Sequence, residues 1–383
     1  MRIAILLLNK GRGSGEVARE HVKHLLSVGH TVYFLYPGIG EGIQGAINKD
    51  VSLHTDVYPV HEYLPSAGEK QKQVARMDVD EMKSYAADYE FALEEIAAET
   101  DIFIGHHANV TAVAVQRVAE KYNKPYVLFV HGTGIEPRHH GLWDDENWKL
   151  IEDAILHASG ILVTTKYVRD FLVKPLIPLP DDRFLILPCG VDQQAFFPGK
   201  EDDVRTKYKL KGDYVICPGA LTHSKGPQNV VEASKLYSDL AQTVFLGDGE
   251  LMFDLQEALG KRGVFLGFVS SEDKASLING ATILTAAPEK QEHFGIIYAE
   301  ALAGGVPVVA YAGGGVDSIV TPDEGVLTDR SPQELGKSIR QLLLNPELRT
   351  KMGISGRKRA VAFYDYPKLV QQLVVWLEGF IVG

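Results

Sequence analysis

Short apolar runs alternate with amphipathic segments along the whole chain, and this alternation narrows the possible folds more than any other feature. In the first half the runs are Ile3–Leu8, Val32–Tyr36, Ile102–Gly105, Tyr126–Val130 and Ile161–Thr164. Apolar runs of this length are typical of strands buried on both faces of a parallel sheet. Between the first two runs, residues 16–29 place Ala18, Val22 and Leu25 on one helical face. The pattern predicts βαβ units.

The second half of the chain repeats this pattern. Its runs are Tyr214–Cys217, Val244–Gly247, Val264–Val269, Ile283–Ala286 and Val306–Ala310. Proline, glycine and charge cluster between the halves in Phe197–Asp203, as is typical of a linker. We therefore predict an α/β chain of two doubly wound domains, 1–197 and 198–363. A terminal helix over 364–383 follows, and a long surface helix is expected over Glu69–Thr100.

Charge and cysteine content exclude several classes of function. The chain has 39 Lys and Arg against 50 Asp and Glu, and its formal charge of −11 disfavours nucleic acid as a partner. The two cysteines, Cys189 and Cys217, fit neither a disulfide framework nor a zinc site and favour a cytoplasmic location. No apolar run approaches the roughly 18 residues of a membrane span. The apolar tail 375–382 leaves membrane association open, and nothing indicates the oligomeric state.

A glycine-rich loop, Gly11–Gly15, follows the first predicted strand and opens a helix. Backbone N–H groups and the helix dipole favour an anion at such a position. A dinucleotide site would also need an acidic residue at the end of the second strand, where this chain has Tyr36-Pro37-Gly38. NAD binding is therefore disfavoured, and a tight turn without a ligand is the alternative.

Two carboxylates, Glu292 and Glu300, stand eight positions apart between a predicted strand and the next glycine pair. Ionised carboxylate oxygens accept hydrogen bonds from the hydroxyls of a ribose or a pyranose. Phe294-Gly295 lies between them, and its glycine would let a ligand approach the backbone closely. The alternative is that both glutamates are solvated surface acids.

The segment 292–309, EHFGIIYAEALAGGVPVV, resembles the signature of family 4 glycosyltransferases, which are retaining enzymes of the GT-B fold. Further blocks stand in the family's order: GSGEVAREHV with GHTVYFL, VLFVHGTG, LILPCGVDQQAFFP, PGALTHSKG, VFLGDGE and VFLGFVSSEDKASLI. The resemblance implies two Rossmann-like domains facing across a cleft. It also implies a nucleotide sugar bound mainly by the C-terminal domain and a last helix that returns to the N-terminal one.

The same resemblance implies roles for individual residues. Glu300 would bind the nucleotide ribose, Glu292 the donor sugar's hydroxyls and Lys225 the diphosphate. The implied catalytic residues are His131, Glu292 and Lys225. The expected donor-binding residues are Gly13, Ser14, Gly15, Val269, Lys274, Phe294, Gly295, Ile296, Ile297 and Glu300. Asn109 and Arg138 are expected on the acceptor side.

One position departs from the family pattern. The family carries an arginine as a second diphosphate ligand, and this chain has Ala220 at that place. Lys274, Arg12 and His223 are candidate replacements.

No metal or other cofactor is expected. The string Asp78-Val79-Asp80 resembles the metal-binding motif of another glycosyltransferase fold, but it begins a helical pattern and suits helix capping. A polar loop before a helix explains His139, His140, Asp144 and Asp145.

The sequence thus predicts a retaining glycosyltransferase that moves a hexose-type sugar from a nucleoside diphosphate, UDP being favoured, to a hydroxyl acceptor. Two alternatives remain: a sugar phosphorylase or epimerase of the same fold, and a non-catalytic subunit that binds nucleotide or sugar.

Overall fold

The computed structural model describes residues 1–11, 13–63, 70–199 and 203–381. The chain divides into two compact units. The first contains Met1–Pro188 together with Tyr366–Gly383, and the second is Cys189–Asp365.

The first unit is built on a parallel sheet with seven strands in the order β3-β2-β1-β6-β7-β8-β9. A separate pair, β4 and β5, is also parallel. The strands are β1 (Arg2–Leu6), β2 (Thr31–Tyr36), β3 (Ile47–Asp50), β4 (Val57–Val60), β5 (Lys70–Gln73), β6 (Ile102–His106), β7 (Tyr126–Val130), β8 (Gly160–Val163) and β9 (Phe184–Ile186). Its first five helices are α1 (Gly13–Ser27), α2 (Val79–Ala97), α3 (Val110–Lys121), α4 (Glu136–His139) and α5 (Asp145–His157).

The middle of this sheet is apolar on both faces, as the sequence predicts. In β1, Ile3 lies opposite Val32 of β2 and Ile102 of β6, and all three side chains are fully buried. Such continuous apolar strands are typical of parallel sheets that are covered on both faces.

The second unit contains a parallel sheet with six strands in the order β12-β11-β10-β13-β14-β15. Its strands are β10 (Tyr214–Pro218), β11 (Gln242–Leu246), β12 (Gly263–Phe265), β13 (Ile283–Ala286), β14 (Val308–Tyr311) and β15 (Gly325–Thr328). Its helices are α6 (Val204–Lys207), α7 (Pro227–Ser234), α8 (Met252–Leu259), α9 (Ser271–Asn279), α10 (Ile296–Ala303), α11 (Val316–Ile319), α12 (Pro332–Leu343) and α13 (Pro346–Phe363).

A last helix, α14 (Tyr366–Ile381), leaves the second unit and packs within the first. The Tyr366 ring stacks on His24 of α1 at 5.3 Å between ring centroids. Leu369, Leu373 and Leu377 are buried on one face of the helix. The predicted fold class, two doubly wound units with a returning helix, is confirmed.

The unit boundary lies earlier than the sequence predicts, after Pro188 rather than after residue 197. The intervening residues are bound to the second unit. The Val191 N–H donates to the Tyr364 carbonyl at 2.7 Å, and Arg357 donates to the Phe196 carbonyl at 2.8 Å. The second boundary falls after Asp365, which forms a β-bridge with Val191.

The long helix expected over residues 69–100 is shorter. It begins at Val79, because Asp78 closes its first turn with a capping box and accepts from the Glu81 N–H at 2.8 Å. Ahead of it, Lys70–Gln73 forms β5, beside β4. Residues 64–69 lie outside the described ranges.

No helix in the described part of the chain is both long enough and apolar enough to span a membrane.

Candidate functional site

The strand order of each sheet reverses once, between β1 and β6 in the first unit and between β10 and β13 in the second. All strands of a sheet are parallel, so their carboxyl ends share one edge. Ligands of open α/β sheets bind outside this edge, at the point of reversal. In each unit, the loops at this point carry predicted site residues.

In the second unit, Lys225 follows β10 and Glu292 follows β13, so the two residues lie on either side of the reversal. The Lys225 Nζ donates to the Glu292 Oε1 at 2.8 Å. Their side chains are 48% and 25% exposed. Such a solvated pair contributes little to folding, about 0–1 kcal/mol. Both charged groups are therefore accessible to a ligand.

Close backbone contacts position both loops. Gly226 has a φ of +66°, and a Cβ there would lie 1.8 Å from the Ala287 carbonyl oxygen. At Gly314, a Cβ would lie 2.5 Å from the Glu292 carbonyl oxygen. Only glycine permits these approaches, and the two contacts fix the backbone beside Lys225 and at Glu292.

Glu300 lies on α10 and is 6% exposed. Its Oε1 accepts from the Lys274 Nζ of α9 at 2.6 Å. Its Oε2 is buried and has no hydrogen-bond partner within the described ranges. A buried carboxylate oxygen without a donor is costly, and a ligand hydroxyl would satisfy it. The sequence predicts Lys274 as a replacement for the missing arginine, and the structure pairs it with Glu300.

The segment Phe294–Ile297 forms the entry to α10. Gly295 is the N-cap with a φ of +89°, and Phe294 is 5% exposed against the Tyr364 ring. The first N–H groups of a helix have no acceptor inside that helix, so those of Ile296 and Ile297 can meet a ligand oxygen.

The other positions predicted in this unit lie near the same edge. Val269 is in the turn between β12 and α9. Ala220 follows β10, and His223 begins the short 3₁₀ helix that ends at Lys225. Arg12, the third candidate for a second cation, lies outside the described residues.

In the first unit, His131 follows β7 and is 7% exposed. Its Nε2 is hydrogen-bonded to the Nδ1 of His106 at 2.9 Å, and its ring stacks on Phe129 at 4.0 Å. Burial lowers the pKa of His106 to about 3, with a small contribution from the nearby His21. His106 is therefore neutral at pH 7, and the His106 ring fixes the orientation of His131.

The glycine loop of the first unit is also positioned by contacts. A Cβ at Gly15 would lie 2.1 Å from the Lys10 carbonyl oxygen, so this position requires glycine. Gly13 begins α1, and the Ser14 Oγ is hydrogen-bonded to the Nε2 of His107 at 2.9 Å. The structure thus adds His106 and His107 to the residues expected from the sequence. The sequence feature that could have pointed to them is a pair of adjacent histidines at the end of a predicted buried strand.

The two residues expected on the acceptor side have other partners. Asn109 is fully buried at the N-cap of α3, and its Nδ2 is 3.2 Å from the His61 Nε2. Arg138 donates to Asp145 at 2.7 Å and lies over the Trp148 ring at 5.4 Å. Asn109 therefore contacts His61, whose ring centroid lies 4.2 Å from that of His107, whereas Arg138 links α4 to α5.

Acidic residues in the two segments that resemble metal-binding motifs cap helices. Asp78 caps α2, and the Asp144 side chain caps α5 by accepting from the Glu146 N–H at 2.8 Å. Within the described ranges, no group of three or more His, Cys, Asp or Glu could hold a metal ion. Burial raises the pKa of the Cys189 and Cys217 thiols to about 12, so neither is a nucleophile at neutral pH.

Family models match both halves of the chain. Residues 11–195 match the family described as Glycosyltransferase Family 4, and residues 200–359 match Glycosyl transferases group 1. The chain therefore belongs to the glycosyltransferases of GT-B fold and is family 4-like.

Two relatives are similar to this chain over different shares of its length. An uncharacterized glycosyltransferase of Methanocaldococcus jannaschii, MJ1178, is 23% identical over 87% of this chain and 92% of its own length. A GDP-mannose-dependent monoacylated alpha-(1-6)-phosphatidylinositol monomannoside mannosyltransferase of Corynebacterium glutamicum is 27% identical. That alignment covers 50% of this chain and 55% of the mannosyltransferase.

Among solved structures, Anabaena Alr3699/HepE in complex with UDP-glucose matches 99% of this chain and 100% of its own. The TM-score is 0.74 at 17% identity, so the likeness concerns the fold.

Proposed function

We propose that this glycosyltransferase transfers a hexose-type sugar from a nucleoside diphosphate sugar to a hydroxyl acceptor with retention of the anomeric configuration. The observation that carries the proposal is the arrangement at the second unit's sheet edge. One accessible lysine faces one accessible glutamate, and a buried glutamate nearby holds an oxygen to which no group in the described part of the chain donates.

Each group suits one part of such a donor. The Lys225 ammonium would leave Glu292 and neutralise the diphosphate, with the first N–H groups of α10 supplying further donors. Glu292 would accept hydrogen bonds from the sugar's hydroxyls. The buried Oε2 of Glu300 would accept from a ribose hydroxyl, which satisfies that oxygen.

The proposed chemistry needs no strong base from the protein. The acceptor hydroxyl attacks the anomeric carbon on the face that the diphosphate leaves, and the departing phosphate oxygen takes the hydroxyl proton. The C–O bond to phosphate breaks as the new glycosidic bond forms. Lys225 stabilises the leaving charge, and His131 is assigned to the donor sugar. In this scheme Lys225 fulfils the role that a metal ion would otherwise have.

UDP is the favoured nucleotide. The fold relative in complex with UDP-glucose supports it, whereas the Corynebacterium relative is GDP-mannose-dependent. A cytoplasmic location is part of the proposal, because both thiols are free and buried.

The direct test is sugar transfer from UDP- and GDP-hexoses to a panel of hydroxyl acceptors, with EDTA present. Proton NMR of the product reports whether the anomeric configuration is retained. Glu292→Gln should reduce transfer at least tenfold. Glu289→Gln is the matched control, because Glu289 lies in the same loop but binds the Asn229 side chain at 2.8 Å.

Inverted product would refute the retaining mechanism. Full activity of Glu292→Gln would refute the site. Sugar release that requires inorganic phosphate would identify a phosphorylase instead.

A further inference from the structure

His107 is a buried residue with an unusual backbone conformation at the sheet reversal of the first unit. Its φ is +72°, and it is 5% exposed. Few residues other than glycine adopt the left-handed region, although asparagine, aspartate and histidine do so more often than the rest. Such strain persists only where the surroundings hold it, and it clusters at functional sites.

The His107 side chain touches residues that follow two other strands of the sheet. Its Nε2 is 2.9 Å from the Ser14 Oγ in the first turn of α1, and its Nδ1 is 3.2 Å from the Thr133 Oγ1 after β7. Its ring centroid lies 4.8 Å from that of His131. One imidazole therefore connects the predicted donor-binding loop with the histidine assigned to the donor sugar.

Contacts also hold the backbone around His107 in place. The His107 N–H donates to the Phe129 carbonyl of β7 at 2.8 Å. On the neighbouring loop, a Cβ at Gly134 would lie 2.8 Å from the Ala108 nitrogen. The loops after β6 and β7 thus pack backbone against backbone, and His107 cannot turn away without separating them.

The two hydroxyl contacts are coupled through the ring. A neutral imidazole donates from one nitrogen and accepts at the other. When His107 donates to one hydroxyl, that hydroxyl keeps its own proton for another partner, while the second hydroxyl must donate to the ring. His107 thereby makes one of Ser14 and Thr133 a donor and the other an acceptor.

We infer that His107 is a positioning residue, which holds Ser14 and the His131–Thr133 loop in the orientation that the donor requires. The inference rests on the proposed function of this chain. It also explains why a strained histidine stands at the reversal of the sheet, where glycine would be relaxed.

The test variant is His107→Gly, which removes the ring while allowing the same backbone conformation. Transfer should fall by about tenfold to a hundredfold in kcat, the cost of a small misplacement in an active site. The thermal midpoint should fall only modestly, because the release of backbone strain offsets part of the stability lost with the buried ring. His107→Asn, which tolerates this φ and keeps one hydrogen bond, should recover part of the activity.

Asn123→Gly is the matched control, since Asn123 also has a positive φ, 51°, in the turn between α3 and β7. It should leave transfer unchanged. Unchanged kcat in His107→Gly would overturn the inference. A large fall in its thermal midpoint, in step with activity, would assign His107 a structural role.

A second readout separates this inference from the proposed function. In protein labelled with ¹⁵N-histidine, His107→Gly should change the tautomer and hydrogen bonding that the His131 ring ¹⁵N signals report, beyond the small ring-current effect of losing a neighbouring ring, and Asn123→Gly should not. Unmoved His131 signals would overturn the positioning role, whatever the activity. Shifted signals in a protein without transferase activity would refute the proposed function alone.

Discussion

Lys274→Met tests the pairing on which the buried carboxylate of Glu300 depends. The Lys274 ammonium lies 2.6 Å from the Glu300 Oε1, while the Oε2 has no partner within the described ranges. The variant leaves a carboxylate that is 6% exposed without its cation.

The expected loss of unfolding free energy follows from the burial of Lys274 and Glu300. Breaking a fully buried pair costs about 3–5 kcal/mol. The Lys274 side chain is 34% exposed, so solvent weakens the attraction and we expect a loss of about 2 kcal/mol. For a domain of 150–250 residues, such as Cys189–Asp365, this loss corresponds to a thermal midpoint lower by roughly 4–8 °C.

Calorimetry of single and double variants isolates the pair. In Lys274→Met with Glu300→Gln, the uncompensated charge is gone, and most of the lost stability should return. A Lys274→Met protein that melts within about 1 °C of the wild type would refute the reasoning. So would a double variant whose loss is the sum of the two single losses.

Three further outcomes follow from the structure. Gly226→Ala should cost more than about 2 kcal/mol of unfolding free energy, because its Cβ would meet the Ala287 oxygen at 1.8 Å. Gly212→Ala is the control, because Gly212 has a similar φ of +64° with open space around it, and it should cost only about 1 kcal/mol. Urea titration measures both losses, and equal losses would contradict the steric argument. Lys225→Met should lower kcat about a hundredfold or more with little change in stability, and steady-state kinetics with wild-type rates would contradict its role. Burial lowers the pKa of His21 to about 4 from an ordinary 6.5, so unfolding takes up a proton as the pH falls through this window. The free energy of unfolding should therefore drop by up to about 3 kcal/mol between pH 6.5 and pH 4, and by less in His21→Phe. Urea titrations at several pH values measure this drop, and an equal drop in both proteins would contradict the assignment.

Much of the fold could be predicted from the sequence, because buried parallel strands are continuous apolar runs. The predicted bounds of Tyr126–Val130 and Ile283–Ala286 equal those of β7 and β13. The edge strand β3 was missed because its sequence, INKD, is polar and partly exposed. Val264–Val269 was predicted too long, since β12 ends at Phe265 and a turn follows.

The site was only partly accessible to sequence reasoning. The motif around Glu292 and Glu300 is continuous, so a resemblance could point to it. The partner of Glu300 could not be found in this way, because Lys274 lies 26 positions away and only packing of α9 beside α10 brings them together. The same holds for His106 and His131, which are separated by 25 positions and meet across adjacent strands.

The proposed nucleotide site can be tested most directly by thermal unfolding with UDP, GDP and ADP and their sugar conjugates, with and without Mg²⁺. A ligand at about a hundredfold its dissociation constant adds roughly 2.7 kcal/mol, which is several degrees. The account predicts a selective, metal-independent increase in the midpoint with one nucleotide, UDP being favoured, and its loss in Glu300→Ala. An unchanged midpoint with every nucleotide, or an equal increase in Glu300→Ala, would contradict it.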